Sequence, residues 1–275
     1  MAQIKNFMQT TGSMANVSMY TLQGHDKIII RIKGGPNKYQ IKTKPQFEQV
    51  RRNNAEWKGC TRMGSQIRGA FQVMNSLEDY PVSGALNAIC KQIQKMDTES
   101  EHGKRALLLS KNKEMLLGFS FSRKQVLESV LRVPIESAID SASGKAQITI
   151  PAVNTALYLY NFQKLPYYRI KACLGGVCDM HVTENGKDYE HAPYNYCDKI
   201  KGIFESEWLP TSGTQPALQI LLEYPIEEEN STADGQLTDD TTLILTLGIE
   251  FGKIGYGNIT EPVKYAGAGK VIRVG

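Results

Sequence analysis

The chain after residue 145 consists of short β-prone segments separated by turn residues, and this pattern limits the possible folds more than any other feature. Segments rich in Val, Ile, Leu, Tyr and Thr alternate with connections rich in Gly, Pro, Asn and Asp. Short strands at this spacing, with one apolar face, are typical of an antiparallel sandwich. We therefore predict an immunoglobulin-like β-sandwich domain over 146–275. The predicted strands are 147–150, 167–174, 177–182, 203–208, 217–224, 242–251 and 270–274.

The first forty-five residues predict an extended basic β-arm. Lys and Arg alternate with Ile over 27–33, and a Gly-Gly-Pro-Asn turn follows. The segment 39–42 has the composition of a second strand that pairs back on the first. We therefore assign residues 1–45 to an arm built around a hairpin.

Residues 46–145 predict a helical and mixed α+β domain. Apolar side chains recur at helical spacing from about Pro45 onward and again over 83–96, where Ser83 is a suitable N-cap. Two short strands are expected between 105 and 121. With the arm and the sandwich, this gives an α+β fold class and three consecutive domains.

Positive charge is concentrated near the N-terminus. Residues 1–75 contain twelve Lys and Arg against three acids, a net charge of +9, whereas the remaining residues carry twenty against twenty-five, a net charge of −5. Such a basic region suits either a polyanion or the acidic face of another copy of the chain. Aromatic residues that stack on single-stranded bases are sparse there. The candidate residues for assembly or polyanion binding are Lys27, Arg31, Lys33, Lys38, Lys42, Lys44, Arg51 and Arg52.

Tyrosines are concentrated between residues 158 and 196, which hold seven of the thirteen in the chain. Tyrosine gives a large amphipathic contact area at low entropic cost and is enriched at protein interfaces. Several of these rings are equally suited to the edge of a sandwich core. The candidate interface tyrosines are Tyr158, Tyr160, Tyr167, Tyr168, Tyr194 and Tyr196.

Five cysteines do not form an even disulfide framework, so reduced thiols are expected. Cys173 and Cys178 flank a Gly-Gly pair that reads as the tip of a hairpin, where the two thiols can face each other. A zinc site needs about four Cys, His or carboxylate ligands in a tetrahedron. The spacing here matches no zinc arrangement, and we predict no metal. The weak metal candidates are Cys173, Cys178, His181, His191 and Cys197.

The sequence carries no catalytic signature. It lacks a Gly-x-Ser-x-Gly elbow, and no cysteine has the local sequence of a known nucleophile. Glu205 and Glu207 alternate on a predicted strand and share one face, which is more typical of solvent exposure than of a cleft. We therefore predict a protein that is not an enzyme, with no catalytic residues and no cofactor.

Hydropathy gives no sign of a membrane protein. No apolar run approaches the roughly 20 residues that span a bilayer. The first twenty residues contain no continuous apolar segment of the kind found in signal peptides. We expect a cytoplasmic protein, or one within an assembled particle, with no signal peptide and no membrane span.

Several phrases spread along nearly the whole chain carry a family resemblance. They are Gly12 through Tyr20, Arg31-Ile32-Lys33-Gly34-Gly35-Pro36, Thr43-Lys44-Pro45-Gln46-Phe47, Arg51-Arg52-Asn53-Asn54, Leu117-Gly118-Phe119, Ile148-Thr149-Ile150-Pro151-Ala152, Leu247-Gly248-Ile249-Glu250-Phe251 and Lys270-Val271-Ile272-Arg273-Val274. In this order they resemble an uncharacterised bacterial family common in Bacteroidota. The resemblance implies a basic extended N-terminus, a helical connector and a C-terminal sandwich. The family has no assigned activity, so no functional residues transfer, and the segment 158–197 departs from it.

Self-assembly is the leading functional hypothesis. The arm and helix of one copy would dock on the acidic, Tyr-rich sandwich of another, giving homo-oligomers or filaments. The alternative is nucleic-acid binding by the basic N-terminal third, with an affinity that falls as salt rises. A third hypothesis, a hydrolase that uses Glu205, Glu207 or the Cys and His residues, rests on fold analogy alone.

Overall fold

The chain divides into two compact units, Met1–Arg51 and Arg52–Gly275. Both contain helices and antiparallel sheets, so the predicted α+β class is confirmed. The computed structural model describes residues 2–4, 12–21, 28–186, 188–191, 201–226 and 231–275.

The first unit is built on four short antiparallel strands. These are β1 (Ala2–Ile4), β2 (Gly12–Met14), β3 (Val17–Thr21) and β4 (Ile28–Ile32). They lie in the order β1-β4-β3-β2, so the isoleucine-rich β4 pairs with a neighbour on each side. The predicted strand at 27–33 is therefore confirmed over 28–32.

A helix takes the place of the second strand predicted at 39–42. Helix α1 (Lys38–Thr43) begins after Asn37, whose side chain accepts a hydrogen bond from the backbone N–H of Gln40. In return, the Gln40 side chain accepts one from the Asn37 N–H. This capping box satisfies backbone donors that the first turn of a helix leaves unpaired. The hairpin prediction is wrong because Asn37 is a helix cap and not a turn residue.

The second unit is centred on two long strands, β8 (Tyr167–Cys178) and β15 (Thr241–Ile254), which pair antiparallel. Nearly all of their residues are buried, as happens when both faces of a sheet are covered. Shorter strands complete the sheet on either side. On the β8 side lie β11 (Lys201–Glu205) and β12 (Leu209–Pro210), and on the β15 side β16 (Thr260–Pro262) and β17 (Ala268–Val274).

A three-stranded sheet covers one face of this central sheet. Its strands are β5 (Glu136–Asp140), β6 (Lys145–Ile150) and β14 (Leu218–Glu223), in the order β14-β6-β5. Ile148 and Ile220 pack here with Leu245 and Leu247 in a shared core. At the edges, β5 contacts β17 and β14 contacts β11, so the two sheets meet along both sides.

Helices cover the opposite face of the central sheet. Met63 and Ile67 from the longest helix pack with Leu86 from the next, and with Cys173 and Val177 from β8. The helical segments are α2 (Glu48–Ala70), α3 (Val82–Met96), and the 3₁₀ turns Pro45–Phe47, Gln72–Leu77 and Ser110–Leu116.

Short elements connect these layers. They are α4 (Leu127–Val130), α5 (Thr155–Tyr158), the pair β7 (Val153–Asn154) with β13 (Thr214–Gln215), and the pair β9 (Met180–Val182) with β10 (Tyr189–His191). Residues from both sides of position 145 contribute to each core of this unit. The domain limits predicted at 45 and 145 stay predictions.

The hairpin predicted over 167–182 is wrong, because β8 runs without a turn through Gly175 and Gly176. A Cβ at Gly175 would lie 2.2 Å from the carbonyl oxygen of Ala70, and one at Gly176 would lie 2.7 Å from the ring of Tyr224. The glycines therefore allow a close approach of neighbouring elements to an extended strand. Because Cys173 and Cys178 lie on one strand, they cannot face each other across a hairpin.

Two predictions between 83 and 121 are also wrong. The segment 105–121 forms a 3₁₀ turn flanked by isolated bridges at Leu107 and Ser120, where two strands were expected. Helix α3 begins after Pro81, and no side chain caps it, so Ser83 is not its N-cap. The apolar residues of 105–121 pack with the helices, and residues 118–121 bond to β17 through the backbone without forming a strand of their own.

Candidate interaction surface

The first unit carries most of the cations selected from the sequence. Arg31 lies on β4 and Lys33 directly after it, while Lys38 and Lys42 lie on α1 and Lys44 follows that helix. All five side chains are exposed. The ammonium of Lys33 donates to the carbonyl of Ala15 at 3.1 Å. These cations are therefore available to a partner.

Arg51 has a local structural role. Its half-buried guanidinium donates to the carbonyl oxygens of Ile41, at 2.8 Å, and Lys44, at 2.9 Å. The last carbonyls of a helix lack intrahelical partners, so these bonds complete the C-terminal end of α1. Arg52 is exposed and belongs to the second unit. Lys27 lies outside the described residues.

Strands β2, β3 and β4 of the first unit bury almost no side chain. Ile28, 9% exposed, is the one buried side chain within residues 12–21 and 28–51. By contrast, Met14, Ile32 and Tyr39 are 68%, 74% and 73% exposed. A small sheet needs an apolar face packed against another element to be stable. The first unit therefore presents apolar surface beside its cations.

The two outer strands of this sheet, β1 and β2, have one neighbour each within the described residues. An edge strand presents unpaired backbone N–H and C=O groups to solvent. Such groups can extend a sheet with a strand from another chain. The edge strands thus offer backbone hydrogen-bonding groups beside the apolar and basic side chains of this surface.

The candidate tyrosines separate into surface and core positions. Tyr158 and Tyr160 are 43% and 45% exposed, and the guanidinium of Arg132 lies 4.9 Å from the ring centroid of Tyr160. Leu157 and Phe162 beside them are also exposed, so residues 157–162 form an apolar surface patch. Tyr167 is half-buried, whereas Tyr168 is 3% exposed and packs between the sheets. Tyr194 and Tyr196 lie outside the described residues.

The weak metal candidates have separate surroundings. Cys173 is buried with its Sγ 3.3 Å from the carbonyl of Ala70, and burial raises its pKa to about 12. Cys178 is bonded in a disulfide, so the expectation of reduced thiols is wrong for this residue. His181 is exposed, and Nδ1 of His191 lies 2.9 Å from the side-chain amide of Gln66.

Cys197 lies outside the described residues. Within the part of the chain that the structure describes, no three Cys, His, Asp or Glu side chains converge closely enough to hold a metal ion.

The two glutamates considered for catalysis do not share a strand. β11 ends at Glu205, and Glu207 lies in the connection that follows. Glu205 accepts a hydrogen bond from Arg169 at 2.8 Å. Its carboxylate is therefore committed to an ion pair.

Sequence analysis missed a buried charge cluster on the helix-covered face of the central sheet. Glu250 is 1% exposed, and its carboxylate lies 2.6 Å from the guanidinium of Arg169 and 3.2 Å from the ammonium of Lys171. Burial alone raises the pKa of Glu250, but the neighbouring Ser76 hydroxyl and the charges of Lys171 and Arg169 bring it below its ordinary value. The cluster keeps a carboxylate ionised inside the protein.

A second buried cluster surrounds Glu56 on α2. Its carboxylate accepts hydrogen bonds from Lys91 at 2.5 Å and from the Gly103 N–H at 2.9 Å, and Nε2 of His102 lies 3.6 Å away. Burial raises the pKa of Glu56, but these hydrogen bonds and the charges of Lys91 and His102 lower it overall. The cluster fastens the 97–105 connection to α2.

A sequence signal existed for the Glu250 cluster. Glu250 interrupts the apolar run 243–251, and Arg169 and Lys171 interrupt the run 167–178. A charge inside an otherwise apolar strand needs a buried partner of opposite sign. Which carboxylate pairs with which cation is decided by strand register, because Glu250 lies opposite Arg169 in the ladder.

No helix within the described ranges is both long and apolar enough to cross a membrane. Comparison of the chain with protein-family models, with curated proteins and with solved structures found no match in any of the three.

Proposed function

We propose that this is a non-enzymatic structural protein that assembles with copies of itself through its first unit. The observation that carries the proposal is that Ile28 is the one buried side chain within residues 12–21 and 28–51 of this unit. A unit of about fifty residues rarely buries enough apolar surface to be stable alone. Packing of a second copy on this sheet would supply the missing burial.

Charge favours another copy as the partner. The first unit, residues 1–51, has eight Lys and Arg against two acids, a net charge of +6. The second unit has the remaining twenty-four against twenty-six, a net charge of −2. Attraction between unlike units supports a head-to-tail contact, which closes into rings or continues into filaments. The apolar patch at 157–162 is the proposed counter-surface on the second unit.

We infer that the two packed sheets of the second unit are an immunoglobulin-like sandwich, with the first unit as its basic arm. Seven antiparallel strands divide so that the first, second and fifth form one sheet, while the fourth, third, sixth and seventh lie in that order in the other. Apart from the fourth strand, constant-type immunoglobulin domains divide their strands in the same way. In chain order the strands are β5, β6, β8, β11, β14, β15 and β17.

Sedimentation velocity of the full chain over a range of concentrations tests the assembly proposal. We expect oligomers that grow with concentration and weaken as salt rises, because exposed charges are screened. Ile32→Glu should shift the population towards monomer, since this side chain is 74% exposed and its loss removes no core contact.

Leu221→Glu is the matched control. Leu221 is 71% exposed on β14 of the second unit, outside both proposed surfaces. It should leave the oligomer distribution unchanged. A strictly monomeric protein at high concentration and low salt would contradict the proposal.

Nucleic-acid binding is the second candidate, favoured by the five exposed cations at 31–44. A mobility-shift assay at low salt tests it with Lys38→Gln and Lys42→Gln, which remove charge from α1 and no buried contact. The expected result is weaker binding in the double variant and loss of the complex as salt rises. Absence of any shift at low salt would exclude this candidate and leave assembly.

A further inference from the structure

A cleft of about 410 Å³ opens between the two sheets of the second unit. It lies where β11 ends and β14 begins, and all of its lining residues belong to the described part of the chain. The walls are mainly apolar side chains from both sheets and the connections next to them. They include Leu131, Ile150, Val153, Tyr168, Ile170 and Phe204.

The cleft is a built feature of the fold. After Glu205 the chain turns away from β8, and Ser206 replaces the lost ladder bonds. The Ser206 N–H donates to the carbonyl of Ile170 at 2.9 Å, and the Ser206 hydroxyl oxygen accepts from the Ile170 N–H at 2.9 Å. Pairing then resumes at β12. The backbone groups of Ile170 are therefore satisfied at the edge of the opening.

The Tyr168 hydroxyl is a polar group in this apolar wall that no described residue engages. Tyr168 lines the cleft and is 3% exposed, and its hydroxyl makes no hydrogen bond within the described residues. Burial raises its pKa, so the hydroxyl keeps its proton and remains a donor. The hydroxyl oxygen is not fully buried, so water or a ligand can accept a hydrogen bond from it. The wall therefore offers a hydroxyl donor among mainly apolar side chains.

We propose that the cleft binds a small, neutral, mainly apolar molecule whose oxygen accepts a hydrogen bond from the Tyr168 hydroxyl. Its volume lies within the range of about 300–1,000 Å³ found for pockets that hold small organic ligands. An apolar cavity of only about 150 Å³ already takes benzene. Glu207 also lines the cleft and is exposed, so its charge disfavours an anionic ligand.

Three naphthalenes of similar size test the proposal by isothermal titration calorimetry on the full chain. They are 2-acetylnaphthalene, 2-ethylnaphthalene and 2-naphthoate, which carry a ketone, a hydrocarbon and a carboxylate on the same ring. We expect the ketone to bind about fivefold tighter than the hydrocarbon, as one added hydrogen bond predicts. The carboxylate should bind about tenfold more weakly than the ketone, because Glu207 repels it and apolar walls do not solvate its charge.

Variants separate the hydrogen bond from the shape of the cleft. Tyr168→Phe removes a hydroxyl that bonds no described residue, so the fold should be retained while the ketone loses its advantage over the hydrocarbon. Ala217→Trp places a bulky ring at an exposed position of the lining and should abolish binding of all three compounds. Ala138→Trp is the matched control on the exposed side of β5, and it should leave every dissociation constant unchanged.

Three results would overturn the proposal. One is the absence of measurable heat for all three compounds, and another is binding that survives Ala217→Trp. The third is an unchanged ratio between ketone and hydrocarbon in Tyr168→Phe. If no naphthalene binds and Ala217→Trp instead reduces self-association, the cleft belongs to a second copy of the chain and not to a small molecule. Failure of self-assembly alone leaves this proposal standing, because the cleft lies wholly within the second unit.

Discussion

In the first unit the five cations at 31–44 are exposed, and Ile28 is the one buried side chain within 12–21 and 28–51. In the second unit, by contrast, Arg169 and Lys171 hold a buried carboxylate against a large core. Exposed charges contribute little to folding stability, because water and salt screen them. A buried ion pair must stay complete, because removing one member leaves the other charge buried without a counter-charge. Lysine and arginine are thus available to a partner at 31–44, whereas Arg169 and Lys171 are part of the fold of the second unit.

The largest expected effect comes from neutralising the buried carboxylate. Glu250→Gln leaves Lys171 and Arg169 without their buried counter-charge, and we expect the free energy of unfolding to fall by about 3 kcal/mol. Urea denaturation followed by circular dichroism measures it. Glu261→Gln, at an exposed position on β16, is the matched control and should change the midpoint little. Equal effects of the two variants would remove the contrast between buried and exposed charge.

A somewhat smaller effect is expected where the sheet meets a helix end. Gly175→Ala places a Cβ against the backbone carbonyl of Ala70, which cannot move aside as a side chain can. We expect a loss of about 2 kcal/mol in unfolding free energy. Gly84→Ala makes the same chemical change on α3 with nothing within 4 Å of the new atom, and should stabilise by about 0.5 kcal/mol. The sign difference between the two variants, read from denaturation midpoints, is the test.

Acid should weaken the second unit through the same carboxylates. The pKa of Glu250 is lower in the folded state, so its stabilising effect is fully present above the unfolded-state pKa of about 4.3. The effect is lost as the pH falls through the lowered folded-state pKa. The difference in unfolding free energy between wild type and Glu250→Gln should therefore shrink between pH 7 and pH 3. A difference that stays constant over this range would contradict the assignment.

The smallest effect is expected in the first unit. Arg31→Gln and Lys38→Gln remove exposed charges, and each should change the unfolding free energy of the whole chain by less than about 0.5 kcal/mol. Thermal denaturation at low and high salt provides the measurement. A larger loss at low protein concentration would show that these cations hold the fold itself, and the comparison between the units would then fail.

Much of the architecture could be predicted from local pattern. The strands that became β6, β14, β15 and β17 lie within or close to the predicted limits, because apolar runs end there at clear turn residues. Helix α3 was found from its periodicity for the same reason. These elements have sequences whose local preference agrees with their place in the fold.

The two wrong hairpin predictions arose at a glycine pair and at an asparagine. The Gly175-Gly176 pair is typical of a turn, but here it lies in an extended strand and leaves room for Ala70 and Tyr224. Those two contacts come from residues far away in the sequence. Asn37 is equally suited to a turn and to a helix cap. The reciprocal hydrogen bonds with Gln40, three residues later, favour the cap. Long-range packing in one case and a side-chain bond in the other chose between conformations that the local sequence leaves open.

The candidate surface was partly accessible to sequence reasoning. Charge counting located the exposed cations, since long charged side chains seldom leave solvent. It could not separate Tyr158 and Tyr160, at the surface, from Tyr168, in the core, because all lie in one aromatic-rich stretch. The sequence did not predict the cleft either, because it opens where β11 ends and the chain turns away from β8, which is distant in sequence.

The two long strands β8 and β15 lie in both cores of the second unit, with the second sheet on one side and helices on the other. Neither layer can detach without exposing the apolar side of these strands to water. We therefore expect the second unit to unfold in a single cooperative step. A protease or chaperone would then encounter either the folded or the fully unfolded unit, with almost no partly unfolded state between them.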